Sequence, residues 1–210
     1  MTISSNELIY IWDAYCGWCY GFSSTLKKLQ DQHPELPLSV WSGGLFTGDN
    51  IQPINAFPHI AAANARISEL TGASFGAAYE ELLAEGSAVL NSEAAAIGFA
   101  ALRTQAPERS GELAAAMQRA FYQAGTSLNE SDTYREIARQ FGLDPELTVR
   151  QMADPELAES VRSEFVRVAR LGVNGFPALL LRKGDSLYQL GSGSTSLDVL
   201  EQRLASVLSE

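Results

Sequence analysis

Residues 7–13, ELIYIWD, form a short unbroken run of apolar, aromatic and β-branched side chains, which predicts a strand buried on both faces. The period changes just beyond it. From 16 to about 32 the apolar residues Phe22, Leu26 and Leu29 recur at helical spacing, and His33-Pro34 ends the run because the residue before a proline disfavours the helical region. Residues 36–41, LPLSVW, alternate as a second strand and lead into a turn at Gly43-Gly44. These segments make a β-α-β unit, whose crossover is expected to be right-handed between parallel strands.

Helical patterning then dominates. Residues 54–171 are rich in Ala, Leu, Glu, Gln and Arg, with helix-starting signals at Ser92 before EAAAIGFAALR, at Asn129 before ESDTYREIARQF, at Asp144-Pro145 and at Asp154-Pro155. Five or six helices are expected there. Extended patterning returns only at 177–184, PALLLRKG, and 186–193, SLYQLGSG, around a tight turn at 183–185, and a final helix is expected over 196–208. Strand signals confined to the two ends predict an α/β domain made of residues 5–53 and 172–210, interrupted by an inserted helical domain over 54–171.

Composition narrows the class without changing this picture. With 46% hydrophobic and 19% charged residues the chain has the profile of an ordinary folded protein. A net charge of -10 argues against nucleic-acid partners, whose phosphates are met by clustered Lys and Arg; the densest basic spot, Lys27-Lys28, reads as a solvated helix face. The opening MTISSNELIYIWD has neither the basic region nor the apolar run of a signal peptide, and no segment approaches the roughly 18 apolar residues of a membrane span. A cytoplasmic protein with no membrane partner is expected.

The candidate chemistry lies in the chain's only two cysteines, Cys16 and Cys19. In a reducing compartment a close pair points to catalysis, redox sensing or metal binding rather than a structural disulfide. Two thiols at i and i+3 can close a small reversible disulfide ring, and the first would stand at a helix N-terminus, where unpaired N–H groups and the positive end of the dipole stabilise a thiolate. Only the thiolate attacks a disulfide. Half of a zinc site has the same spacing, but a structural site takes about four ligands; the remaining candidates, His33 and His59, lie far apart in sequence, so no metal is expected. His59 reads as a structural residue at the start of the insertion.

Neighbouring residues carry paired readings. Asp13 is either a buried carboxylate accepting a proton near the inner thiol, or a turn or capping residue. Trp18, between the cysteines, reads as part of a substrate surface. Tyr15 and Tyr20 read as rim aromatics or plain packing, and Phe121 and Tyr122 as core of the insertion. The Ala-rich run 94–101, with Gly98 inside it, reads as a close helix contact. The glycines of GGLFTGDN lack the Lys and spacing of a phosphate loop and mark a turn instead.

DAYCGWCYGF after the first strand, SGGL after the second, QRAFYQAG in the helical span and LGVNGFPALLL before the hairpin occur in an order that resembles the DsbA family of the thioredoxin superfamily, in its FrnE-like protein-disulfide isomerase branch. The resemblance covers nearly the whole chain. It implies an α/β, thioredoxin-like fold with a large all-helical insertion, and thiol-disulfide oxidoreductase activity of the reductase or isomerase type. No cofactor is implied; the implied partners are protein or small-molecule thiols and disulfides, glutathione among them. It further implies Cys16 as nucleophile, Cys19 as resolving thiol, and Pro177 as a cis-proline facing the pair, with the main chain of Phe176 pairing with substrate as an added strand. Gly17-Trp18 stands where DsbA has Pro-His, so a thiolate less stabilised than in DsbA, and a weaker oxidant, are implied. Two further readings stay open: a glutathione-dependent transferase or isomerase of the kappa-class type, which has a similar element order, and a non-enzymatic thiol redox sensor.

Overall fold

The chain begins with β1 (Glu7–Trp12), α1 (Gly17–Gln32) and β2 (Leu38–Ser42), seen in a computed structural model that describes residues 6–173 and 175–209. There follow β3 (Gln52–Pro53), α2 (Ile60–Thr71), α3 (Ala77–Glu85), β4 (Val89–Leu90), α4 (Ser92–Gln105), α5 (Ser110–Tyr122), α6 (Ser131–Phe141), α7 (Pro145–Met152) and α8 (Pro155–Arg170). The chain then closes with β5 (Ala178–Lys183), β6 (Ser186–Ser192) and α9 (Leu197–Ser209). The main sheet has the order β2-β1-β5-β6, with β1 parallel to β2 and the other two pairings antiparallel. Gly184 turns the β5–β6 hairpin at φ 60°, a left-handed conformation that favours glycine.

Both faces of β1 are covered, which is why its sequence shows no alternation. Leu8, Tyr10 and Trp12 share a core with Phe22, Leu26 and Leu29 of α1 and with Leu200 and Leu204 of α9. That core runs on into the helical span through Phe99 and Leu102 of α4 and Leu113 and Met117 of α5. On the other face, Ile9 and Ile11 pack with Ala178 and Leu180 against Val168 of α8. The Glu164 carboxylate anchors α8 there, accepting from the Ser42 backbone N–H at 2.7 Å and from Arg103 Nη2 at 2.9 Å.

The helical span differs from expectation in its details. Among the described residues it holds seven helices rather than five or six. The α6–α7 break comes from Gly142 in the left-handed conformation (φ 71°) and Asp144, whose carboxylate accepts from Glu146 N and Leu147 N, both at 2.9 Å. A ribbon of β3 and β4 also lies at its start, with only two residues pairing on each side, too few for a strand period to register. The cap of α4 is Asn91, which accepts from Ala94 N at 3.1 Å, not Ser92; the Ser92 hydroxyl instead accepts from Phe46 N at 2.9 Å. Likewise Asn129 does not start α6: its amide donates to the Val89 carbonyl at 2.8 Å. A Cβ on Gly98 would stand 2.1 Å from the Tyr134 ring, so α4 and α6 meet as closely as the small-residue run suggests.

Candidate active site

Cys16 is the residue before α1, extended at φ -85° and ψ 109°, so its side chain stands at the helix N-terminus. Its thiol donates to the Phe176 carbonyl at 3.3 Å, across 160 positions of sequence, and the Phe176–Pro177 peptide bond is cis. Cys16 is 6% exposed and Cys19 wholly buried, and both are free thiols. Burial pushes the Cys19 thiol well up, and the hydrogen bond and charge of Cys16 push the same way; hydrogen bonding with the Asp13 backbone opposes this, and the Asp13 charge adds to it. The inner thiol therefore holds its proton until a base takes it.

Asp13 has the bonds of a turn residue and the burial that the acceptor reading asks for. It is 3% exposed, and its two oxygens accept from Tyr15 N at 3.0 Å and Leu45 N at 2.8 Å, which closes the turn after β1. Burial nevertheless raises its carboxyl above the ordinary aspartate value, with these backbone bonds working in the opposite direction. It is thus a turn residue and also a buried titratable group whose charge is felt at Cys19.

Trp18 is half-buried and separates two hollows. On one side is an open groove of about 610 Å³ whose wall includes Trp18, Phe176, Pro177, Leu187, Gln189 and Gly193. A Cβ on Gly193 would come within 2.9 Å of Trp18 Cβ and 3.2 Å of Pro177 Cδ, and one on Gly43 within 2.1 Å of the Phe176 ring. The second glycine explains SGGL, whose first glycine seats that ring. On the other side a cavity of about 150 Å³ reaches Cys16 itself, walled by Tyr15, Phe46, Ile67 and Tyr122.

Tyr20 follows the packing reading, whereas Tyr15 both packs and borders the cavity at Cys16. Tyr15 meets Phe121 edge-on at 4.9 Å and donates to Asn129 Oδ1 at 3.3 Å; Tyr20 stacks on Tyr122 at 4.7 Å and donates to the Ser74 carbonyl at 2.7 Å. Phe121 and Tyr122, read as core of the insertion, are buried as expected but also line the cavity at Cys16. His59 stands at the edge of the same cavity. Sequence reading missed Tyr10, whose hydroxyl donates to the Cys19 carbonyl at 3.3 Å and whose phenol is pushed well up by burial and then by the charges of Cys19 and Cys16. Inside an unbroken apolar run it looks like any core aromatic. Among the described residues no group of three or more His, Cys, Asp or Glu is placed to hold a metal ion.

The profile of the family described as "DSBA-like thioredoxin domain" matches residues 8–205. No curated protein matches the chain. Among solved structures the chain is similar to a candidate protein disulfide isomerase from Nitrosomonas europaea, at TM-score 0.84 and 24% identity over 98% of each chain. It is also similar to the cytosolic disulfide reductase DsbM from Pseudomonas aeruginosa, at TM-score 0.82 and 26% identity over 97% of this chain and 100% of that one. The same reductase with GSH gives TM-score 0.77 and 27% identity over the same shares. A 2-hydroxychromene-2-carboxylate isomerase shares the fold alone, at TM-score 0.62 and 13% identity over 96% of this chain and 94% of that one.

Proposed function

The chain belongs to the DSBA-like thioredoxin domain family, and we propose that it is a thiol-disulfide oxidoreductase of the reductase or isomerase type working through Cys16 and Cys19. One observation carries the reading: Cys16 stands at a helix N-terminus against the Phe176 carbonyl, while Cys19 is buried one turn behind it. The Cys16 thiolate attacks one sulfur of a substrate disulfide; a Cys16–substrate disulfide forms and the other substrate sulfur leaves as a thiolate. Cys19 gives up its proton, with Asp13 as acceptor, and attacks Cys16 Sγ. The Cys16–Cys19 disulfide forms, the second substrate thiolate leaves, and two electrons have passed to the substrate. Two equivalents of a thiol such as glutathione restore the dithiol.

Several features support the finer parts of this reading. An extended substrate chain fits the groove beside Trp18 and Pro177, where the main chain at Phe176 offers strand-like pairing that demands no particular side chain. The likeness to a cytosolic reductase, one form of which was solved with GSH, supports a reducing direction, glutathione as partner and a cytoplasmic setting. Among the described residues no helix is long and apolar enough to cross a membrane. The division into a thioredoxin-like part, 5–53 and 172–210, and a helical insertion, 54–171, belongs to the same proposal: the four-stranded sheet draws only on 7–42 and 178–192. Positions 5 and 210 lie outside the described residues.

Cys19→Ser tests the roles. It should accumulate a mixed disulfide between Cys16 and an added disulfide peptide, visible by intact-mass measurement, whereas Cys16→Ser should form none and lose turnover. Unchanged turnover in Cys19→Ser would instead favour a single-thiol, glutathione-transferase type of chemistry.

A further inference from the structure

The two hollows beside Trp18 differ in character. The groove of about 610 Å³ is open. The cavity of about 150 Å³ is smaller, and it is the one that Cys16 lines. Its wall is aromatic and branched: Tyr15, Phe46, Ile54, Ile67 and Phe121 are all buried. The buried polar side chain among them, Asn64, is already engaged, donating to the Tyr79 hydroxyl at 3.0 Å. An apolar space of that size gives water few partners, and an engineered protein cavity of ~150 Å³ stays dry and takes up benzene. The position of Gly17 draws α2 in as a wall, since a Cβ there would stand 2.9 Å from Ile67 Cδ1. That position is also 4.0 Å from the Tyr122 hydroxyl, so a donor borders the space next to the start of α1.

We propose that this cavity holds a single aromatic ring attached to the sulfur that Cys16 attacks, making low-molecular-weight aryl disulfides preferred substrates. The inference rests on the exchange chemistry proposed above and adds the substrate class. With one ring in the cavity its sulfur lies beside Cys16 Sγ, and the departing half is left on the groove side of Trp18. Cys16 attacks ArS–SAr, a Cys16–SAr bond forms, and ArS⁻ leaves to take a proton from solvent. Cys19 then displaces the second aryl thiolate, giving the Cys16–Cys19 disulfide. Two glutathione thiols reduce that disulfide, becoming glutathione disulfide, so two electrons pass in all from glutathione to the aryl disulfide.

The test compares turnover of diphenyl disulfide with that of bis(2-hydroxyethyl) disulfide, each divided by its uncatalysed rate with glutathione. The wild-type protein should favour the aryl substrate at least tenfold in kcat/KM. Ala63→Phe, a half-buried α2 position on the cavity wall, should bring that ratio near one, the aryl rate falling at least tenfold further than the hydroxyethyl rate; Ala63→Leu serves as a milder filling, and thermal melting checks that each variant folds. Toluene, which has the ring and no sulfur, should slow alkylation of Cys16 by iodoacetamide in the wild type and not in Ala63→Phe. A ratio near one in the wild type, or a ratio that survives both fillings, overturns the ring site. Protection by toluene without turnover of either disulfide would retain the ring site but overturn the exchange reading and, with it, the assignment of aryl disulfides as substrates.

Discussion

Asp13 lies on the path between the turn after β1 and the buried thiol of Cys19, and the two demands on it can be separated by pH. Burial raises its carboxyl above the ordinary value of 3.8, so between that value and the raised one the folded chain holds a proton that the unfolded chain has released. Stability contributed at this position is therefore largest at low pH and falls as pH rises through the window. Asp13→Asn cannot titrate and should flatten that fall, measured by denaturant unfolding at a series of pH values from about 4 to 8. The amide keeps one acceptor for the turn but no base for Cys19, so the resolving step should slow on the order of 10²-fold, read as release of a trapped mixed disulfide in a single turnover. Formation of the mixed disulfide by Cys16 should keep its wild-type rate. An unchanged release rate would leave Asp13 with the turn alone.

Packing between elements puts a second titrating group where the sequence suggests isolation. His33 follows α1, and its ring meets Glu201 of α9 at 2.8 Å and Glu35 at 3.0 Å, tying the end of one helix to the other beneath the sheet. The bond to Glu201 is the main cause that raises the imidazole above its usual 6.5; burial opposes it, and the lesser bond to Glu35 adds to the rise. The pairing thus contributes fully below that usual value and is lost as pH rises through the raised one. His33→Gln should remove this loss, so the melting temperature should change less than in the wild type between about pH 6 and 8.5; an identical change would mean that the pair adds nothing. His33 also marks the limit of what sequence could tell. Its role as the stop of α1 was legible because Pro34 acts locally, as were the strands at both chain ends and the cysteines at the start of a helix, all of which depend on neighbours within a few residues. Its partnership with Glu201, 168 positions away, was not, and neither was the contact of Tyr10 with Cys19, because an apolar run hides which of its aromatics meets a functional group. The caps show the same limit: Ser92 and Asn129 carry cap chemistry, but Phe46 and Val89, brought close by the fold, claim their side chains instead.

At the scale of the whole molecule the helical span is joined to the sheet on both faces, and the joint leads back to the site. The core beneath α1 continues without a break into α4 and α5, and α8 covers the opposite face through Val168. Glu164 holds the α8 contact by accepting from Ser42 N, at the end of β2; Gly43 and Gly44 come next, with the Phe176 and Phe165 rings against them, and then Leu45, whose N–H closes on Asp13. A helix of the insertion thereby positions the loop that holds the carboxylate near Cys19. Such continuity predicts one cooperative unfolding transition for the chain, with far-ultraviolet and near-ultraviolet circular dichroism following the same denaturant curve. The near-ultraviolet signal reports on both faces, since Trp12 packs edge-on to Phe99 at 5.1 Å and Trp41 lies under Arg167 at 5.1 Å. Glu164→Ala leaves the Ser42 N–H without its acceptor and Arg103 without its carboxylate, a loss of about 1–3 kcal/mol. That loss should move the whole curve to lower denaturant while the two signals stay superimposed. If they part, with the helical signal surviving the aromatic one, the insertion folds as a unit of its own and the positioning of the Asp13 loop does not depend on it.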